Sequence, residues 1–360
     1  MAPTAGWFDP TPKGGFLRQA QHSFLPAPGD PGVRHPGLRR GDVVVLEGQR
    51  VVSVNGLPPG PGLADRPDFA KLGAAHPTRP LALETPSASS PRTAEIQRTF
   101  DLVCPLGFGQ RALIVSPPKA GKTIVLQAVA EAVALHPAVE LLLLLVDERP
   151  EEVSEFIDWG RGTVIASSFD LPQERHVAVA EMAFEHARRQ VELGRDVVIV
   201  LDSLTRLARS HNTTTKSSRR TLSGGLDANA LAKPKALFGA ARAVPEGGSL
   251  TVIATALVET ESRMDDVIFE EFKGTGNAEL RLSRALADRR IYPAVEIAAS
   301  GTRREELLAD PDTVARRQAL RRALVNLPSD QGMTALLAQL RRQKTNAELL
   351  AQIPPDPTRS

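Results

Sequence analysis

The chain is poor in the residues that staple small folds together. Its 360 residues include a single cysteine, Cys104. A lone thiol forms neither an internal disulfide nor a multi-thiolate metal site, so disulfide scaffolds and zinc modules are excluded. Cys104 reads as a small buried hydrophobe. Aromatic residues make up only 4% of the chain, with Tyr292 the one tyrosine. No apolar run approaches the roughly 18 residues of a membrane span, and the N-terminus lacks the basic-then-apolar order of a signal peptide. A soluble, cytoplasmic protein without a membrane partner is predicted. The net charge of +2 excludes a globally basic nucleic-acid coat but leaves room for local basic loops. Arginine outnumbers lysine 35 to 9, a coding bias and not a functional signal.

What is present suffices for a folded protein. The hydrophobic share of 42% and charged share of 24% are near globular averages, and the length predicts two unequal domains. Fifteen of the 29 prolines fall in the first 100 residues, so that region is turn-rich. Within it, Val43–Leu46 and Arg50–Val54 read as short strands, and residues 1–56 as a small all-β module. Residues 57–92, rich in Pro, Gly and Ser, read as a linker with at most local structure. From residue 93 to 360, apolar runs alternate with helical patterns, the mark of an α/β domain on a parallel sheet. Its expected strands are Ala112–Ser116, Leu141–Val146, Val164–Ser167, Val197–Leu201, Leu250–Ala256 and Ala294–Ile297, with helices over Lys122–Leu135 and His176–Leu193.

The first strand runs into Ser116-Pro-Pro-Lys-Ala-Gly-Lys-Thr123 and then a helix, the setting of a phosphate-binding loop. Gly121 lets the backbone approach a phosphate, the loop N–H groups cradle its oxygens, Lys122 reaches the β and γ positions, and Thr123 ligates Mg²⁺. The strict pattern wants glycine at position 116, where this chain has serine. Two further strands end in acids, Asp147-Glu148 and Asp202, at the strand ends where α/β proteins bind ligands. Asp202 suits the Mg²⁺ shell and Glu148 the orientation of an attacking water. Either acid alone reads equally well as a helix cap. Arg303 lies in a downstream loop, and Lys216, Arg219 and Arg220 in a polar, glycine-ended segment suited to gripping a phosphate backbone.

Pro-Pro-Lys-Ala-Gly-Lys-Thr, Val-Asp-Glu-Arg-Pro-Glu-Glu-Val, Leu-Asp-Ser-Leu-Thr-Arg-Leu-Ala-Arg, Gly-Gly-Leu-Asp-Ala-Asn-Ala-Leu, Glu-Glu-Phe-Lys-Gly-Thr-Gly-Asn and Ser-Gly-Thr-Arg-Arg-Glu-Glu-Leu-Leu occur in family order. Over roughly residues 93–330 the chain resembles the Rho family of bacterial transcription termination factors. The resemblance implies a RecA-like ATPase domain preceded by an incomplete oligonucleotide-binding (OB) barrel. It further implies a homohexameric ring, ATP and Mg²⁺ as nucleotide and cofactor, nascent single-stranded RNA in the pore, and the RNA polymerase elongation complex as partner. By the same resemblance, Gly107, Phe108, Gly109, Gln110, Arg111 and Ala112, together with Lys119, Ala120, Gly121, Lys122, Thr123 and Ile124, contact nucleotide. Arg149 is a further nucleotide contact and Tyr292 the aromatic that stacks on adenine. Glu148 is the catalytic glutamate, Asp202 the Walker-B acid, Arg206 a subunit-coupling arginine and Arg303 an arginine finger. Lys216, Arg219, Arg220, Thr221 and Lys273 fall in the two pore loops, and Phe16, Arg18 and Phe24 in the remains of the barrel's RNA site, although Phe16 and Phe24 read equally well as plain core. The chain departs from the family at its N-terminus, where the leading helical subdomain is lacking, and at Arg219-Arg220-Thr221, where Gly-Lys-Val is common. A termination factor acting as an RNA-dependent ATPase and 5′-to-3′ helicase-translocase is the expected function. The alternative is a divergent RNA-binding ring or a poisoning subunit. A DNA recombinase or rotary ATPase leaves Glu-Glu-Phe-Lys-Gly-Thr-Gly-Asn unexplained.

Overall fold

A computed structural model describes residues 3–12, 14–215, 223–227 and 229–354. The N-terminal module contains β1 (Thr4–Thr11), β2 (Gly14–Arg18), β3 (Gly32–Val33), β4 (Val43–Glu47) and β5 (Arg50–Val54). They form one antiparallel sheet in the order β3-β2-β1-β4-β5. Five strands are the complement of an OB barrel, but among the described residues no pairing joins β3 to β5, so the barrel stays open. β1 and β2 carry no clear signal in the sequence, because Pro10 and three glycines fall within them. Pro10 is tolerated because β4 pairs only with Thr4–Trp7, so its missing N–H breaks no bond to that neighbour. Phe8, Leu17, Val33, Val44, Leu46, Val51 and Val54 form the module's core.

The larger domain follows as α1 (Pro91–Val103), β6 (Arg111–Ser116), α2 (Lys122–Ala134), β7 (Val139–Glu148), α3 (Pro150–Trp159), β8 (Thr163–Ser168), α4 (Gln173–Val191), β9 (Asp196–Asp202) and α5 (Leu204–Thr214). It continues with α6 (Ala232–Gly239), β10 (Arg242–Ala243), β11 (Ser249–Leu257), α7 (Arg263–Lys273), β12 (Ala278–Arg281), α8 (Arg284–Asp288) and β13 (Gly301–Thr302), then α9 (Pro311–Val325), α10 (Ser329–Arg342) and α11 (Asn346–Ala351). Its sheet has the order β13-β12-β6-β11-β9-β7-β8, parallel from β12 to β8, with β10 added antiparallel to β11. The continuous apolar runs of β7 and β9 follow from burial on both faces. Leu141, Leu143 and Leu145 pack toward α1 and α2, and Leu142, Leu144 and Val146 toward α4 and α5. No helix of the described residues is long and apolar enough to cross a membrane.

Two expectations need correction. Ala294–Ile297 is not a strand, since only Val295 makes a bridge, to Leu282. The sheet takes Ala278–Arg281 instead, a four-residue segment too short for its alternation to stand out. Residues 57–90 hold only short 3₁₀ turns and isolated bridges, with α1 starting at Pro91, yet they are anchored. Leu81 and Leu83 are fully buried, Phe69 nearly so, and Leu83 N–H donates to the Asp101 carboxylate at 3.0 Å.

The module is seated on α4. Trp7 lies between Phe24 and His186 with centroid distances of 3.6 and 3.9 Å and nearly parallel planes. His186 also bonds Gly41 O at 2.9 Å and Glu140 at 2.6 Å. Gly41 has φ +88°, and a Cβ there would meet His186 N at 2.4 Å, so only glycine permits this approach. At the other end, Arg98 donates to Leu340 O and Gln343 O at 2.7 and 2.8 Å, fixing α10 and the following turn against α1.

Candidate active site

The carboxyl ends of β6, β7 and β9 converge, and three side chains meet there. Lys122, the first residue of α2, places Nζ 2.5 Å from both Asp202 carboxylate oxygens and 3.2 Å from Glu148 Oε1. Thr255 Oγ1 donates to Asp202 at 2.6 Å. Glu148 and Asp202 are almost wholly buried, so the ammonium offsets much of the cost of holding two carboxylates there.

Glu148 reaches this cluster through a break in its strand. Val146 faces α4, and strict alternation would send Glu148 to the same side. Asp147 instead adopts φ +59°, and the β7–β8 register shifts between Val146 and Glu148. This bulge lets Glu148 turn to Lys122. Arg206 secures it, donating to Asp147 O with Nη1 3.6 Å from Glu148. His176, bonded to Ser167 Oγ at 2.7 Å, stands 3.7 Å from Asp147. Burial raises the Glu148 carboxyl to about 7, and the Asp202 charge adds to the rise, while Lys122 and Arg206 oppose it. Lys122 is held above its ordinary value because Asp202 and Glu148 together outweigh its desolvation.

The loop before α2 turns through a left-handed glycine. Gly121 has φ +95°, which a side chain rarely adopts, although a Cβ there would find nothing nearer than the Tyr292 ring at 3.7 Å. The constraint is therefore conformational and not steric. Tyr292 thus stands against the loop, with the Arg92 guanidinium 5.0 Å from its ring centre. Lys119 and Ile124 are exposed, Thr123 is half-buried and Ala120 is buried. Ser116, where the strict pattern has glycine, is fully buried and bonds Pro117 O at 2.9 Å. Arg149 is exposed at the start of α3, beside Glu148. Glu148, Glu152 and Asp202 each offer an oxygen within 4.8 Å of the others. An all-oxygen set of this kind fits a hard divalent cation such as Mg²⁺.

The structure therefore brings together Lys119, Gly121, Lys122, Thr123, Glu148, Arg149, Asp202, Arg206 and Tyr292. Gly107, Phe108, Gly109, Gln110, Arg111 and Ala112 lie elsewhere, at the amino end of β6. The strand β6, which begins at Arg111 and is roughly 20 Å long, runs from them to the loop. All but Arg111 are buried; Gln110 bonds Asn277 and Arg111 bonds Thr275 O. Arg303 is exposed at the same far end, where its N–H donates to Asn277 O at 2.9 Å, and it shares a cleft with Lys273.

In the N-terminal module, Phe24 is not offered to a base, because its ring is buried against Trp7. Arg18 is likewise buried, paired at 2.8 Å with both Asp9 and Asp30, while Phe16 is half-buried beneath its guanidinium. Lys216, Arg219, Arg220 and Thr221 lie outside the described residues. Sequence reasoning missed Thr255, inside an apolar strand, and Glu152, whose one signal was its place four residues beyond Glu148.

Residues 97–302 match the nucleotide-binding domain of the ATP synthase alpha/beta family. The chain is 56% identical, over 96% of its length, to a transcription termination factor Rho from Gemmatimonas aurantiaca, of which it spans about half, 49%. Against Rho from Streptosporangium roseum the identity is 50%, over 97% of the chain and 91% of the relative. Against that from Streptomyces coelicolor it is 51%, over 95% and 84%. An ATPase of a type III secretion system of pathogenic bacteria superposes with a TM-score of 0.61 over 77% of this chain and 82% of that one. At 21% identity this is a likeness of fold.

Proposed function

The chain belongs to the Rho family of transcription termination factors, and from that premise we propose that it hydrolyses ATP in response to RNA. The reading extends to a cytoplasmic homohexameric ring that translocates 5′-to-3′ on nascent RNA and releases it from RNA polymerase. The observation that supports it most directly is Lys122, suspended between Asp202 and Glu148 at the mouth of the phosphate loop. Lys122 would leave Asp202 for the β- and γ-phosphates, and Thr123 and Asp202 would then hold Mg²⁺. When bound, Mg²⁺ supplies positive charge against the phosphate oxygens. Glu148 would accept a hydrogen bond from the attacking water and align it with the γ-phosphorus. Tyr292, beside Gly121, would cover the adenine.

Arg303 lies at the opposite end of the parallel sheet from Lys122 and cannot serve its own nucleotide. A head-to-tail ring would bring one subunit's Arg303 end to the next subunit's phosphate loop, so Arg303 acts in trans. In the N-terminal module, burial of Phe24 and Arg18 removes two expected RNA contacts, which favours loading through the pore over capture by the barrel.

The test is ATP hydrolysis with and without a long cytidine-rich RNA at stated salt, for the wild type and Lys122→Ala. RNA stimulation that is lost in the variant is expected. Hydrolysis unchanged in Lys122→Ala overturns the site, and a hexamer indifferent to RNA overturns the motor.

A further inference from the structure

A second basic site lies where residues 57–92 cross the larger domain. Phe69, α4 and α6 enclose an open pocket of about 530 Å³ lined by Arg188, Arg189 and Arg242. The Arg242 guanidinium lies 4.7 Å from the Phe69 ring centre and that of Arg188 5.7 Å. Stacking on a ring leaves the N–H edges of a guanidinium free to donate. Arg242 spends only Nε, on Ala240 O at 3.1 Å, and has no carboxylate partner among the described residues.

The acids nearby do not balance these cations. Glu185 pairs with Arg188 at 2.6 Å, and Glu192 is shared among Arg39, Arg66 and Arg189. Asp68, at the mouth, caps the turn through Ala70 N–H at 3.0 Å. The buried Nε atoms of Arg188 and Arg189 have no partner. Burial lowers the basicity of Arg242, and the neighbouring Arg188 charge adds to it. A half-buried cluster of this kind, short of anions, is what an oxyanion relieves.

The cluster also continues. Arg111 donates to Ala241 O and Thr275 O, and its basicity is lowered by burial and then by the charges of Arg242 and Arg303. Arg303 in turn shares a cleft with Lys273. Basic side chains therefore lie on both sides of the half-buried Arg111, which lines neither pocket, and Glu279 is the acid in the Lys273 cleft; cations spread over two pockets suit a polyanion better than a single phosphate.

We propose that Arg188 and Arg242, stacked on Phe69, bind phosphodiesters of single-stranded RNA that extends outward from the Lys273 cleft. This rests on the RNA-dependent reading given above. Ala236 is exposed in the pocket lining, so Ala236→Glu adds a carboxylate there without touching the core. The experiment measures the affinity of the full-length protein for a long cytidine-rich RNA across salt. Each phosphate that is no longer neutralised should flatten the slope of log K against log salt by about 0.7. Ala236→Glu should weaken binding and flatten the slope. Arg188→Gln with Arg242→Gln should flatten it by about 1.4, while Ala236→Gln stays near wild type and Arg242→Lys, which keeps the charge, keeps the slope. Unaltered slopes in both the Ala236→Glu and double-arginine variants overturn the proposal. So does inorganic tripolyphosphate that occupies the pocket without displacing RNA, which would make it a site for free polyphosphate. Wild-type protein that binds no RNA at all overturns the underlying functional reading instead.

Discussion

Replacing Glu148 with glutamine should stabilise the ligand-free protein while abolishing its hydrolysis. The carboxyl titrates near 7 instead of 4.5 because burial and the Asp202 charge disfavour its anion. A pKa raised in the folded state means that folding favours the protonated form. That contribution is complete below about pH 4.5 and is lost as pH rises through about 7. A rise from 4.5 to about 7 corresponds to about 3 kcal/mol. Glutamine mimics the protonated acid in size and charge, so Glu148→Gln escapes the loss. Thermal denaturation of both proteins from pH 5 to 8.5 is the assay. At roughly 1–2 °C per kcal/mol for a chain this long, the melting temperatures should lie within about 1–2 °C near pH 5 and differ by about 3–6 °C at the alkaline end, the variant higher. Asp101, also raised to about 7 by burial, is common to both proteins and cancels in the difference. In the wild type, kcat/KM should rise through pH 7 as Glu148 becomes the anion able to accept from water. A melting gap that is constant with pH, or a variant less stable throughout, would refute the reasoning.

Other outcomes follow from the same geometry. Arg303→Ala should cut kcat by about 10³–10⁵-fold while leaving ATP binding intact, and mixing it with Lys122→Ala subunits should restore part of the activity; mixtures no better than either variant would place Arg303 outside catalysis. Tyr292→Ala should raise the KM for ATP about tenfold, in line with about 1–3 kcal/mol for stacking on a base, with little change in kcat. Leu83→Ala should cost about 2–5 kcal/mol in denaturant unfolding because the side chain is fully buried; a loss below about 1 kcal/mol would make residues 57–92 a loose tether.

The phosphate loop, the acids closing two strands and the alternation of strands with helices were legible because each is a local pattern. A loop that must precede a helix, or a carboxylate at a strand end, lies within a few residues of its own signal. Everything that needed a partner distant in sequence was decided by tertiary structure. Composition marks residues 57–92 as a linker, yet Leu81, Leu83 and Phe69 find cavities on the larger domain that no local pattern reveals. Phe24 reads equally as an RNA aromatic or as core, and its burial against Trp7, which stacks in turn on His186, decides for the core. Family order places Gly107–Ala112 beside the loop, whereas a parallel strand carries its two ends to opposite edges of the sheet. Glu148 shows most clearly where the division falls. Its identity and its place at a strand end are written in the chain, but its approach to Lys122 depends on one residue, Asp147, leaving the extended conformation. Alternation along a strand is fixed by local geometry, while the bulge that breaks it is held by Arg206 and by packing between β7, β8 and α4, contacts that exist only once the chain has folded.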